Sequence, residues 1–254
     1  LYATMPPWVQ EGGHDAWVAR LKDPKIRKRV IKEMRAPTEG WENLMQLAGG
    51  AQNVLLIGFK SDALKPLTGK TLAEVAMARG KSAEDTIIDL VIEDDSRVDT
   101  AFFLMSEDNI RRNIAWPHLM FGSDEGAYSP EGVFLESNAH PRAYGTFARL
   151  LGKYVREEKV IPLEEAIRRM TSLSADSLRI KDRGRIKEGA FADIVVFDPD
   201  SIGDKATYDR PHQLSTGVAH VFVNGVLTVT DGAHTGARAG RVVRGPGWTG
   251  ETAE

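Results

Sequence analysis

Up to about residue 183, short apolar runs of strand length alternate with stretches of helical spacing. Beyond that point the helical spacing stops, and this switch constrains the fold more than any other feature. Asn53-Val54-Leu55-Leu56-Ile57-Gly58-Phe59 is a continuous apolar run of the kind a buried strand carries. Thr71 to Arg79 reads as a helix. Ser82, with Asp85 three residues on, resembles a capping box that opens a second helix running to Ile92. Ala101 to Met105 reads as a buried strand, and Ser106 caps a helix across Asn109 to Arg112. His118-Leu119-Met120-Phe121-Gly122 reads as another strand, followed by amphipathic helices over 144–158 and 162–171. Earlier, Trp17, Val18, Leu21, Ile26, Val30, Ile31 and Met34 keep helical spacing with a break near Pro24. Strand, helix, strand in this order predicts an α/β architecture with parallel strands.

After Arg183 the chain turns β. Ile194-Val195-Val196-Phe197 is a strand, and two further apolar runs flank Asn224-Gly225, a strong hairpin signal. The Gly- and Pro-rich tail after Ala233 reads as irregular surface chain. These shifts divide the chain into residues 1–184 and 185–254.

Composition matters mainly through what it excludes. The 254 residues include no cysteine, so a disulfide scaffold, a thiolate zinc site and a cysteine nucleophile are all ruled out. With 33 basic and 36 acidic residues the formal net charge is -3, which gives no footprint for nucleic acid. No apolar run approaches the ~20 residues of a membrane-spanning helix. The chain opens Leu1-Tyr2-Ala3-Thr4-Met5-Pro6-Pro7-Trp8, without an initiator Met or a signal segment. A cytoplasmic setting, and a chain that is a piece of something longer, are the expectations.

Two places carry candidate chemistry. Asp124 follows an apolar run directly, between Gly122-Ser123 and Gly126, at what would be the carboxyl end of a strand, where α/β folds build their sites. A carboxylate there can act as a base beside a metal-bound water, or it can be a helix cap or an Asx-turn residue. His140-Pro141-Arg142 is the second. A guanidinium fork suits a carboxylate held by two hydrogen bonds, and His140 suits a ligand, a proton carrier or a substrate contact; a solvated loop arginine is the plain alternative. His14, His118, His140, His212, His220 and His234 form no His-x-His or His-x-x-x-His pair, so no metal nest is apparent. No nucleophile-elbow or phosphate-loop pattern is present.

Gly122-Ser123-Asp124-Glu125-Gly126, followed by His140-Pro141-Arg142-Ala143-Tyr144-Gly145-Thr146-Phe147-Ala148-Arg149-Leu150-Leu151-Gly152, resembles the hallmark of the N-acyl-D-amino-acid deacylases. These D-aminoacylases are a branch of the metal-dependent amidohydrolases. Pro6-Pro7-Trp8 with Glu11-Gly12-Gly13, Met170-Thr171-Ser172-Leu173, Asp182-Arg183-Gly184, Gly189 to Pro199 and Val223-Asn224-Gly225 agree with it, so the resemblance runs nearly end to end.

The resemblance implies the carboxyl-terminal part of a (β/α)8 barrel followed by strands of a small β-sandwich. It implies zinc whose ligands lie mostly outside this chain, with Asp124 as a conceivable contributor, and an N-terminal half on a separate chain or a missing segment. Asp124 would be the catalytic general base and then the acid that protonates the departing amine. Arg142 would hold the α-carboxylate of an N-acyl-D-amino acid, with His140 beside it in substrate binding. Two other readings stand: a catalytically incompetent fragment or interaction subunit, and an amidohydrolase acting on cyclic amides. The second leaves His140-Pro141-Arg142 unexplained.

Overall fold

Proline at the first helical position satisfies two demands at once: its fixed φ suits a helix, and its missing N–H is one that the first turn cannot pair. Pro24 uses this to divide the first helical stretch into α2 (His14–Lys22) and α3 (Pro24–Arg35). The Asp23 carboxylate caps α3, accepting from the Lys25 and Ile26 amides at 2.7 and 3.3 Å. A short α1 (Pro7–Gln10) precedes them, and a short α4 (Leu44–Leu47) follows under an Asn43 cap. The computed structural model describes residues 1–250. They form two compact units: Leu1–Met105 with Glu131–His140 and Tyr208–Arg210, and Ser106–Pro130 with Pro141–Thr207 and the described residues from Pro211 onward.

In the first unit, the apolar run becomes β1 (Val54–Gly58), which pairs antiparallel with β2 (Asp99–Phe102) in the register Leu55 opposite Ala101. Thr71 caps α5 (Leu72–Arg79) in a complete capping box with Glu74, and Gly80 ends it in the left-handed conformation. Ser82 caps α6 (Ala83–Asp94) by accepting from the Asp85 amide. Ile87, Ile88, Leu90 and Val91 of α6 are fully buried, and they pack with Leu21, Val30, Met34, Leu56 and Leu72 into one core. The aspartates on the outer face of α6 hold α3 through Arg27, which reaches Asp89 at 2.7 Å and Asp85 at 2.8 Å.

The strand expected over 101–105 ends at Phe102, and Phe103, Leu104 and Met105 are exposed. The partner strand sets this limit. Val54, the first residue of β1, stands opposite Phe102, and two residues later the Leu104 amide donates back to the Phe102 carbonyl in a tight turn.

In the second unit, Ser106 caps α7 (Glu107–Ala115), accepting from the Asn109 amide at 3.2 Å. α8 (Arg142–Arg149) runs without a break into a more widely wound segment over Leu150–Glu157. After Pro162 come α9 (Leu163–Met170) and α10 (Ser172–Ser177). Ile114, Leu150, Leu151, Tyr154 and Ala166 pack together with Ile202.

A four-stranded sheet follows in the order β3 (Ile194–Phe197), β4 (Val218–Val223), β5 (Val226–Thr230) and β6 (Ala233–His234), antiparallel throughout. Asn224 and Gly225 turn the β4–β5 hairpin with φ of 50 and 81°, the double positive φ that a tight hairpin turn requires. Three sequence segments meet at this turn. Arg183 pairs with Asp193 and donates to Asn224 Oδ1, while Asp193 Oδ1 accepts the Asn224 amide at 2.8 Å.

Helices and strands both contribute, as expected of an α/β chain, but the parallel order does not appear. Both sheets among the described residues are antiparallel, and His118–Gly122 is extended chain outside any ladder. What holds this segment is a side chain. Arg169 of α9, fully buried, donates Nη1 to the Ile114 carbonyl at 2.6 Å and Nε to the Leu119 carbonyl at 2.7 Å. Its guanidinium lies 4.4 Å from the centre of the Phe121 ring. An apolar run becomes a strand only where a neighbour accepts its ladder, and this run meets an arginine instead. No helix among the described residues is long and apolar enough to cross a membrane.

Candidate active site

Asp124 adopts φ of 51°, in the left-handed region that aspartate tolerates better than most residues. The conformation turns its side chain outward, where it is 93% exposed. No helix begins at Asp124, and among the described residues no backbone amide donates to its carboxylate. It is therefore neither a cap nor an Asx-turn residue. Among the described residues its ion-pair partner is Arg142, the first residue of α8, with Nη2 3.5 Å from Asp124 Oδ2.

The adjacent carboxylate is better anchored. Glu125 is 18% exposed and accepts from Arg142 Nε, from Tyr128 Oη and from the Gly126 amide, each at 3.2 Å. Its negative charge holds the Tyr128 phenol above the ordinary value, because a phenolate beside it would be repelled and because the phenol donates the hydrogen bond. Arg142 thus bridges two consecutive carboxylates, one turned to solvent and one set among donors. Chemically, this is a guanidinium that holds carboxylate oxygens beside an accessible base.

His140 belongs to the other unit. Its Nε2 lies 3.2 Å from Tyr208 Oη, the two rings meet edge to face at 5.1 Å, and Tyr208 also meets the Phe103 ring at 4.9 Å. The segment leading to it is tied to β1, with the Asn138 amide donating to the Ile57 carbonyl at 2.8 Å.

Glu125 and Tyr128 beside Arg142, and Tyr208 beside His140, are neighbours that the sequence did not single out. Only the position of Glu125 beside Asp124 signals the first. The phenols come into play through contacts that no local pattern encodes.

No three His, Asp or Glu side chains stand together to hold a metal ion among the described residues. The Asp124 oxygen nearest to a partner faces a cation, and a second cation on that oxygen would be repelled by the guanidinium. The described residues therefore do not make a metal-holding set.

Comparison with known proteins places these residues in context. The amidohydrolase family profile matches residues 8–229. A D-aminoacylase of Alcaligenes xylosoxydans xylosoxydans is 38% identical over 177 residues, covering 70% of this chain and 34% of the relative. An N-acyl-D-glutamate deacylase of the same organism is 39% identical over 176 residues, covering 69% and 33%. The chain thus spans about a third of the length of the curated relatives it matches. Among solved structures, a D-aminoacylase superposes with a TM-score of 0.65 at 35% identity, over 78% of this chain and 38% of the other. An N-acyl-D-glutamate deacylase from Bordetella Bronchiseptica, complexed with zinc and a phosphonate mimic of the tetrahedral intermediate, gives 0.66 at 33% identity, over 78% and 39%.

Proposed function

Because the chain belongs to the amidohydrolase family, on its D-aminoacylase branch, we propose that it serves a metal-dependent enzyme that hydrolyses the amide bond of N-acyl-D-amino acids. In this reading residues 1–184 supply the carboxyl-terminal part of a (β/α)8 barrel, and residues 185–254 supply strands of a small β-domain. The metal is zinc, as in the Bordetella relative. Its holders come from outside the described residues, on a second polypeptide or a further segment.

The roles of this chain's residues follow from their chemistry. Asp124 takes a proton from the attacking water as the new C–O bond forms. It returns that proton to the nitrogen as the C–N bond breaks, so that a carboxylate and a free amine leave. Arg142 holds the substrate α-carboxylate with its fork of donors, and His140 is read as a further substrate-binding residue from its place in the deacylase-like His140-Pro141-Arg142 motif alone. The observation that carries the reading is the Arg142 guanidinium 3.5 Å from an accessible Asp124 carboxylate, in a chain 38% identical to a D-aminoacylase over 177 residues.

The test combines metal analysis, intact mass and turnover of N-acetyl-D- against N-acetyl-L-amino acids on the zinc-loaded protein. D-selective turnover, lowered by about two or more orders of magnitude in Asp124→Asn with metal content unchanged, supports it. Wild-type turnover in that variant removes the role given to Asp124. Metal-free material without turnover favours a structural or interaction subunit, and preference for dihydrouracil-type rings favours a cyclic-amide hydrolase.

A further inference from the structure

The second unit contains a cavity of about 570 Å³ between the chain after α10 and the chain after β6. Asp124, Arg142 and His140 do not line it. Its walls carry five cations, Arg179, Lys181, Arg183, Arg241 and Arg244, and no carboxylate, in a protein whose formal net charge is -3. Arg183 is neutralised by Asp193. The other four form no ion pair with a carboxylate among the described residues, unlike Arg111, Arg149, Lys153, Arg168 and Arg185 of the same unit. Phe191 and Trp248 line it too, with the Val242-Val243 and Gly245-Pro246 segments. Arg183 lies 4.2 Å from the Phe191 ring centre and Arg244 4.3 Å from that of Trp248, so the aromatic faces steady guanidiniums rather than lie open to a ligand.

Four unneutralised cations around one concavity repel one another, and an anion that bridges them relieves that repulsion. From this arrangement we propose that the cavity binds a small molecule bearing two or more phosphoryl groups. Guanidinium forks match phosphate oxygens two at a time, and a single-charged anion would leave most of the cations unsatisfied. The volume lies in the range of small-molecule sites, large enough for a diphosphate and its attached group. This site is independent of the hydrolytic reading, because it shares no residue with the Asp124–Arg142 cluster.

The test is calorimetric titration of the full chain with inorganic pyrophosphate, ADP and citrate at low salt. Pyrophosphate should bind saturably, and citrate, a multivalent carboxylate, about tenfold more weakly. The Arg241→Gln/Arg244→Gln double variant should lose about tenfold or more in pyrophosphate affinity with its circular dichroism unchanged, since both side chains are exposed. Lys22→Gln, an exposed cation on α2, should bind as the wild type does. ADP binding tighter than pyrophosphate identifies the ligand as nucleoside-bearing, whereas equal binding leaves the diphosphate as the recognised group. No saturable pyrophosphate binding, citrate bound as tightly, a double variant that binds normally, or an equal loss in Lys22→Gln each overturns the proposal.

Discussion

Arg142 donates Nε–H to Oε2 of Glu125 across 3.2 Å, a shorter approach than the 3.5 Å between its Nη2 and Asp124 Oδ2. The side chain proposed to grip a substrate carboxylate is thus already in contact with a protein carboxylate. Glu125 competes for the guanidinium, and a charged competitor costs more to displace than a neutral one. Glu125→Gln should therefore lower KM for N-acyl-D-amino acids while changing kcat less. An exposed ion pair contributes about 0.2–1 kcal/mol, so the decrease should be at most about fivefold. Steady-state kinetics on the zinc-loaded protein measures it, and a raised KM would show that Glu125 instead steadies Arg142 for binding.

Arg169 is fully buried and forms no ion pair among the described residues, and its Nη2 lacks a hydrogen-bond partner. Burial pushes its guanidinium below the ordinary value, yet the group persists because it satisfies the Ile114 and Leu119 carbonyls together. Arg169→Ala leaves both carbonyls without a donor and opens a cavity against Phe121. The expected loss is about 3 kcal/mol, read from the urea midpoint. Arg169→Lys should recover little of it, because a single ammonium lacks the fork that spans two carbonyls five residues apart in the chain.

What the sequence revealed and what it hid divide along the range of the interactions involved. The Asp23–Pro24 start of α3, the Ser106 cap of α7 and the Asn224–Gly225 turn are decided within three or four residues, and each stands where the local pattern puts it. His118–Gly122 has the composition of a strand but becomes one only with a partner ladder, and the Arg169 donors come from 50 residues away. Glu125 was visible only as a neighbour of Asp124, because its main donor, Arg142, lies 17 residues downstream. The antiparallel pairing of β1 with β2 is equally non-local, since apolar runs alone do not state strand direction.

Glu107 ties α7 to the wide-wound segment after α8. The hydrogen bond from Lys153 Nζ at 2.8 Å does most to hold its carboxyl below the ordinary 4.5, partial burial opposes, and Tyr154 Oη at 3.0 Å adds to the lowering. A carboxyl depressed in the folded state contributes stability that is present above its unfolded value and is lost as pH falls through the folded one. The second unit should lose stability as the pH falls below the ordinary glutamate range, and Glu107→Gln should flatten that slope while leaving the stability lower near neutrality. Urea titrations across this range measure both effects, and an unchanged slope would show that Glu107 contributes no linkage.

Gly217 precedes β4 with φ of +81°, and a Cβ built there would lie 2.5 Å from both the amide nitrogen and the Cα of Ile202. The approach is backbone against backbone, so no side chain can swing aside. Ile202 is itself buried in the core of the second unit, and its amide is held by the Asp198 carbonyl at 2.9 Å. Asp198 in turn donates its amide to the Gly217 carbonyl at 2.8 Å, which fixes the distance between the two segments. Gly217→Ala therefore meets two penalties: about 1–2 kcal/mol for an L-residue at positive φ, and about 1–3 kcal/mol for forcing packed chain apart. The urea midpoint should fall accordingly, and the loss should be larger than for Gly232→Ala, where φ is +77° but nothing lies within 4 Å of the added carbon. Equal losses at the two glycines would assign the whole effect to backbone conformation and none to the contact with Ile202.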